Sequence, residues 1–332
     1  MAKGALYGHA RSLAHGLAQG DIGPEVGADA LRSMDPYLIK SEELLAMVDV
    51  FQGLASKVDT QHERVMDLCG TGGASVRTFN VGTVSSFIVA ASGSPVAKHG
   101  NRSANGKCGS ADLLEALGAD ISIPPQRAAE ILDDIGFSFF FAPNHHPSVA
   151  AAAEARRMAG GVTVFNMMGP LLNPVRVKRD HLMGVWDPRH LDIVPEVLIK
   201  TGVERAMVVY GDPGMDEVSL CGSTSVAHLT RSGIERYEIC PEMVGMDRCP
   251  AEALRELPPA AAAQACKGIL AGQEGERRDQ ALLSSACALL VQERRNSLQS
   301  CLSLAEESLD SGAAEDLMHR YIRASTGGCN DV

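Results

Sequence analysis

The chain has 332 residues and is 45% hydrophobic, enough for a large core shared between one small and one large domain. Its formal net charge of −11 argues against a broadly basic face for nucleic acid. Nine scattered cysteines, an odd number without a Cys-x-x-Cys pair, argue for a reducing compartment and against a zinc site. Apolar stretches are interrupted by Gly, Ser or Pro, which speaks against a membrane span, and the first residues carry His and Arg instead of a signal-peptide core. A cytoplasmic protein is expected.

Up to about residue 60, apolar side chains recur at helical spacing: Leu6, Leu13 and Leu17, then Val26, Ala30 and Leu31, then Leu44, Leu45, Val48, Phe51 and Leu54. Gly20 to Pro24 reads as a turn, Asp35-Pro36 ends the second helix, and Ser41 with Glu42 and Glu43 starts the third. Residues 1–63 are expected to form a helical domain, completed by a later helical segment near 150–180. Residues 64–332 then form an α/β body.

The apolar run Val65 to Cys69 breaks into Gly70, Thr71, Gly72 and Gly73. Such glycines allow unusual backbone angles and let N–H groups converge on an anion. Asn80 and Thr83 fall near the start of a helix predicted over Val84 to Ala91, where free N–H groups and the dipole favour negative charge. Lys98 and Arg102 add positive charge nearby. The stretch reads as an anion site at strand ends.

Further along, helices are predicted over Ala111 to Leu117, with Asp112 in the first turn, and over Gln126 to Ile135. Ser138 to Ala142 reads as an aromatic strand stopped by Pro143, and Asn144 to Pro147 as a polar loop at its end. Two adjacent histidines, His145 and His146, lack the third ligand a metal site needs. Val149 to Met158 reads as a helix carrying Arg156 and Arg157, ended by Gly160-Gly161. Val162 to Met168 reads as a strand, Gly169 to Pro174 as a rigid turn, and His181 to Pro188 as a strand and turn. A helix over Leu191 to Thr201 precedes the strand Arg205 to Tyr210. That strand enters Gly211 to Glu217, whose adjacent Asp216 and Glu217 suit a hard cation such as Mg²⁺. β segments over Val218 to Leu229 and Ile234 to Ile239 follow. Helices over Ala260 to Leu270, Asp279 to Val291 and Leu298 to Leu309, with a last one to about Ala324, close the chain.

Five segments together resemble the anthranilate phosphoribosyltransferase family of nucleoside-phosphorylase-like glycosyltransferases: Gly70 to Thr83, Lys98 to Gly118, Ile135 to Pro147, Phe165 to Pro174 and Gly211 to Glu217. The resemblance runs from about residue 40 to 315. It implies an α/β fold with a separate small all-helical domain, an active site in the interdomain cleft, and a homodimer through the helical domain. It implies transfer of the phosphoribosyl group of phosphoribosyl pyrophosphate (PRPP) to anthranilate or a similar aromatic amine, with Mg²⁺. By the same resemblance, Gly70, Thr71, Gly72, Gly73, Asn80, Thr83, Lys98, Asn105 and Ser110 contact PRPP. Asn101, His146 and Arg156 face the aromatic amine, and Asp216 and Glu217 hold Mg²⁺. No side chain is expected to act as a nucleophile; Lys98 and Asn101 position the transition state. The chain departs from the family pattern at Ala74, where aspartate is usual, at Gly82 and Asn105, where serine is usual, and in Gly160-Gly161-Val162, where an arginine is lost. These departures leave open a paralogue with another acceptor or little catalysis. A nucleic-acid-binding member is disfavoured by the charge.

Overall fold

A computed structural model describes residues 3–103 and 106–327. Helix α1 (Lys3–Gln19) buries Ala10, Ala14, Leu17 and Ala18 along one stripe. Helix α2 (Pro24–Ser33) opens on Pro24, whose fixed φ suits a first turn. Helix α3 (Ser41–Gly53) is closed at its start by Glu43, whose carboxylate accepts the Lys40 N–H at 3.0 Å, and it buries Leu44, Met47, Val48 and Phe51. That spacing places the four on one face, which meets α1.

The body begins with β1 (Arg64–Gly70), α4 (Val81–Ala91), β2 (Val96–Gly100), α5 (Ser110–Leu117), α6 (Pro125–Ile135) and β3 (Phe137–Phe141). Four short helices follow: α7 (Ala142–His145), α8 (Pro147–Ala151), α9 (Ala153–Ala159) and α10 (Val164–Met168), the last running into a 3-10 turn over Gly169–Leu172. Then come β4 (Lys178–Gly184), α11 (His190–Lys200), β5 (Arg205–Gly211), β6 (Thr224–Thr230) and β7 (Gly233–Ile239). Helices α12 (Pro259–Leu270), α13 (Glu276–Val291), α14 (Leu298–Asp310) and α15 (Ala313–Ser325) complete it. Among the described residues no helix is long and apolar enough to cross a membrane.

Among the described residues seven strands join one sheet in the order β3-β2-β1-β4-β5-β6-β7, parallel from β3 to β5 and antiparallel at β6 and β7. Alternation along the central strands divides the core. Leu182, Met207 and Val209 point into the cluster built on α4, α6, α13 and α15, while Met183, Ala206 and Val208 join α1, α3, α10 and α11. The strand order reverses at β1 and β4, which is where α/β sheets leave a crevice at the carboxyl ends of their strands. Helices α8, α9 and α10 pack on α1, α2 and α3 respectively, so residues from 147 onward wall that crevice from the helical side.

Four stretches differ from their sequence reading. Val162 to Met168 is not a strand. The Thr163 N–H donates to Asn166 Oδ1 at 3.1 Å, and this cap starts the short helix α10. Five apolar residues among seven, interrupted by Thr163 and Asn166, carry no period that separates strand from helix. Asn144 to Pro147 is not a loop but parts of α7 and α8, each opened by a proline in its first turn. The expected helix over Val149 to Met158 breaks at Ala152. Val218 to Ser223 does not pair as strand. The Ser219 N–H is taken by Thr224 Oγ1 and the Leu220 N–H by Gln280 Oε1, so side chains satisfy the backbone there.

Candidate active site in the crevice at the strand ends

Gly70 and Gly184 end β1 and β4 in register with each other. The segment carrying Asp216 and Glu217 lies directly over both. A Cβ on Gly184 would sit 1.7 Å from the Asp216 carbonyl oxygen, and one on Gly70 would sit 2.6 Å from Asp216 Oδ2. Only glycine at these strand ends lets the carboxylates cross the sheet mouth. Asp216 Oδ2 accepts the Gly72 N–H at 2.6 Å and so ties the carboxylate pair to the glycine loop. The loop holds Gly72 at φ +65° and Gly73 at φ +88°.

The crevice has a volume of about 600 Å³. Every sequence-nominated residue that the structure describes lines it: Gly70, Thr71, Gly72, Gly73, Asn80, Thr83, Lys98, Asn101, Ser110, His146, Arg156, Asp216 and Glu217. Asn105 lies outside the described residues. Ser110 opens α5, and its hydroxyl accepts from Thr83 Oγ1 at 3.1 Å. Asn80 Nδ2 donates to the Cys108 carbonyl at 2.9 Å, bracing the loop that carries Ser110. Lys98 is buried, and its ammonium donates to the Leu68 carbonyl at 2.6 Å. Arg102, read from sequence as added positive charge, pairs with Glu115 and Asp112 on α5.

Charge is unevenly satisfied here. Burial, and then the neighbouring Asp216, push the Glu217 carboxyl up to about 8, while Lys98 and the Gly82 N–H oppose the shift. Burial likewise raises Asp216. Two adjacent carboxylates whose charged forms are disfavoured chiefly by burial fit a divalent cation bound by oxygen. On the helical wall, the Arg156 guanidinium stacks 4.6 Å from the Phe165 ring centre and has no carboxylate partner among the described residues. His146 and His99 meet edge to face at 5.1 Å, and burial lowers both, His146 to about 4. Both are neutral rings at pH 7. His145, by contrast, is turned away: its Nδ1 faces the Ser56 carbonyl at 2.9 Å.

Sequence reading missed several lining residues. Arg77, Glu256, Phe165 and Asn166 also border the crevice. Arg77, Phe165 and Asn166 fall inside segments already singled out, but no local pattern marks these side chains as facing a ligand, and Glu256 comes from a segment with no motif. Of the departures, Ala74 is 6% exposed and packs within the helical-side cluster. Gly82 has room for a side chain, since a Cβ would meet Leu68 O at 3.4 Å and Lys98 Nζ at 3.7 Å.

The N–H groups of a glycine loop at a switch point, beside a buried lysine and a cation-ready carboxylate pair, suit a phosphorylated ligand, and the class to which they belong is that of the α/β glycosyl transferases. Residues 62–315 match the model of the glycosyl transferase family, a/b domain. Among curated relatives, the anthranilate phosphoribosyltransferase of Ruminiclostridium cellulolyticum is 40% identical over 88% of this chain and 85% of its own length. That of Aquifex aeolicus is 37% identical over 96% and 93%. Among solved structures, the anthranilate phosphoribosyltransferase of Thermus thermophilus superposes with a TM-score of 0.89 at 34% identity, covering 98% of this chain and 96% of that one. The Saccharomyces cerevisiae protein, solved with PRPP and Mg, shares the fold at a TM-score of 0.87 and 24% identity, over 98% and 94%. The chain belongs to the anthranilate phosphoribosyltransferase family.

Proposed function

We propose that the protein transfers the 5-phosphoribosyl group of PRPP to the amine of anthranilate, releasing pyrophosphate, with Mg²⁺ held at Asp216 and Glu217. The observation that carries this reading is the unpaired Arg156 on one wall of a crevice whose other wall presents Lys98 and the carboxylate pair. Arg156 offers a planar fork for the acceptor carboxylate, and its stacking on Phe165 presets the angle. Neutral His146 and Asn101 border the same end and leave the acceptor amine unprotonated and nucleophilic. The glycine loop, Asn80, Thr83 and Ser110 form the phosphate end. Asp216 and Glu217 would hold Mg²⁺, which when bound would supply positive charge for the departing pyrophosphate. Lys98, held in place by the Leu68 carbonyl, adds a fixed positive charge beside that end. No nucleophilic side chain is required; holding amine and anomeric carbon in line supplies the acceleration.

In this reading residues 1–63 form a helical domain with the later helices near 150–180. A homodimer through that domain follows from the family, and the domain carries exposed Val26, Leu38 and Leu54. The eight cysteines described are all free thiols, in keeping with a cytoplasmic location. The test is a steady-state assay with anthranilate, PRPP and Mg²⁺, following loss of anthranilate fluorescence. Turnover that needs all three supports the reading. PRPP binding by calorimetry without anthranilate turnover moves the acceptor to another arylamine, and absence of both overturns it.

A further inference from the structure

Asp67 on β1 and His181 on β4 are paired in register, and Cys69 stands two residues beyond Asp67 on the same face of the sheet. One carboxylate oxygen, the Cys69 sulfur and one His181 ring nitrogen all lie within 4.8 Å of one another. His181 is 1% exposed, and neither of its ring nitrogens has a hydrogen-bond partner among the described residues. A buried imidazole with both nitrogens unsatisfied is costly unless something else takes a lone pair. Asp67 is also fully buried and is oriented from outside the group: it accepts from His99 N at 3.2 Å and from Asn173 Nδ2 at 2.8 Å. Such bracing is how a metal-binding carboxylate is usually aimed. Of the neighbouring cations, Lys98 donates to the Leu68 carbonyl and Arg179 to the Asn173 and Val175 carbonyls, while the charge of Arg179, with burial, keeps His181 a neutral ring. Neither hydrogen-bonds the imidazole.

Against the expectation drawn from cysteine spacing, which sees only ligands close in sequence, we propose that Asp67, Cys69 and His181 form a binding site for a thiophilic divalent cation of the Zn²⁺ type, distinct from the Asp216–Glu217 pair. An oxygen, a sulfur and a nitrogen donor are the ligand set of zinc; Mg²⁺ prefers oxygen alone. Tetrahedral bonds of about 2.1–2.3 Å put neighbouring donors about 3.5 Å apart, so side-chain rotations of about 1 Å close the group on an ion. Cys69 lines the crevice and offers the entry path. Binding exchanges the thiol proton of Cys69 for the metal and releases it to solvent. The thiolate and the Asp67 carboxylate then balance the two positive charges. Three protein ligands leave a fourth position for water from the crevice. Because Asp67 also holds the backbone of His99, between Lys98 and Asn101, occupancy of this site is coupled to the crevice wall.

The test is calorimetric titration of the full chain with Zn²⁺ in excess Mg²⁺, paired with Co²⁺ absorption spectroscopy. One Zn²⁺ per chain is expected, and a Co²⁺ derivative with tetrahedral d–d bands and a thiolate-to-metal charge-transfer band. Cys69→Ser should abolish the charge-transfer band. His181→Gln should keep that band but weaken Zn²⁺ binding more than about 100-fold, beyond the 10–100-fold typical of losing only a supporting contact. Cys249→Ser, outside the group, should change neither. His181→Gln exchanges one unpartnered polar side chain for another without touching the thiol, and with its folding checked by its metal-free melting transition it decides the matter if Cys69→Ser does not fold. No stoichiometric Zn²⁺ binding overturns the proposal. So does binding that survives in both variants, or binding lost only in Glu217→Gln and displaced by Mg²⁺.

Discussion

Replacing Glu217 by glutamine should stabilise the metal-free protein while removing its response to Mg²⁺. Burial and the adjacent Asp216 raise the Glu217 carboxyl from the ordinary 4.5 to about 8. The folded, metal-free chain therefore holds this proton more tightly than the unfolded chain. Its contribution to stability is complete below pH 4.5 and is lost as the pH rises towards 8. At pH 7 the interval above 4.5 corresponds to about 3.4 kcal/mol at 1.36 kcal/mol per unit. Both carboxylates are partly open to the crevice, which reduces the expected penalty to about 1–3 kcal/mol. Unfolding entropy of about 2.1 cal/mol/K per residue converts this to a Tm rise of about 1–4 °C for a chain of this length. Scanning calorimetry of both proteins in EDTA and in Mg²⁺, from pH 5 to 9, reads the effect. The advantage of Glu217→Gln should grow from pH 5 to 8 and level off above, and Mg²⁺ should raise only the parent. A variant that melts at or below the parent in EDTA at pH 8, or equal stabilisation of both by Mg²⁺, would refute the assignment of the carboxylate pair.

Three further outcomes are expected. Arg156→Ala removes a charged donor worth about 1.5–3 kcal/mol and should raise the acceptor KM about 10–100-fold. The PRPP KM should stay within about threefold by steady-state kinetics, and equal rises in both would remove Arg156 from the acceptor end. Gly73→Ala forces φ +88° on a residue with a Cβ 3.2 Å from Val162 Cγ2. It should cost about 1–3 kcal/mol in urea unfolding and weaken PRPP binding, whereas an unchanged midpoint would show that the loop relaxes freely. Asn173→Asp replaces the donor that reaches both Asp67 Oδ2 and Ala97 O at 2.8 Å, and so sets two buried carboxylates face to face. A loss of about 2–4 kcal/mol in urea unfolding is expected. A shift under about 0.5 kcal/mol would mean that Asp67 is carried protonated.

Local chemistry made the helices and the anion-binding loop legible before any tertiary contact was known. The stripes through Leu17 and through Leu44 to Phe51 encode α1 and α3, because burial on one face requires that spacing. The glycines after β1 announce converging N–H groups for the same kind of local reason. Residues with recognisable motifs, from Gly70 to Glu217, could be nominated one by one, yet nothing in their spacing says that they share one crevice. Sheet order decides that. β1 and β4 are neighbours although more than a hundred residues separate them, so Gly70 meets Gly184 and the Asp216 segment closes over both. The same pairing sets Asp67 against His181 and brings Cys69 beside them, and no local pattern marks the three as a group. The strand reading of Val162 to Met168 failed because five apolar residues suit either periodicity, and the cap at Thr163 and the contact of Phe165 with Phe51 chose the helix. Periodicity and turn chemistry act within a few residues of chain, whereas proximity between distant residues, and every charge imbalance that follows from it, exists only once the sheet has formed.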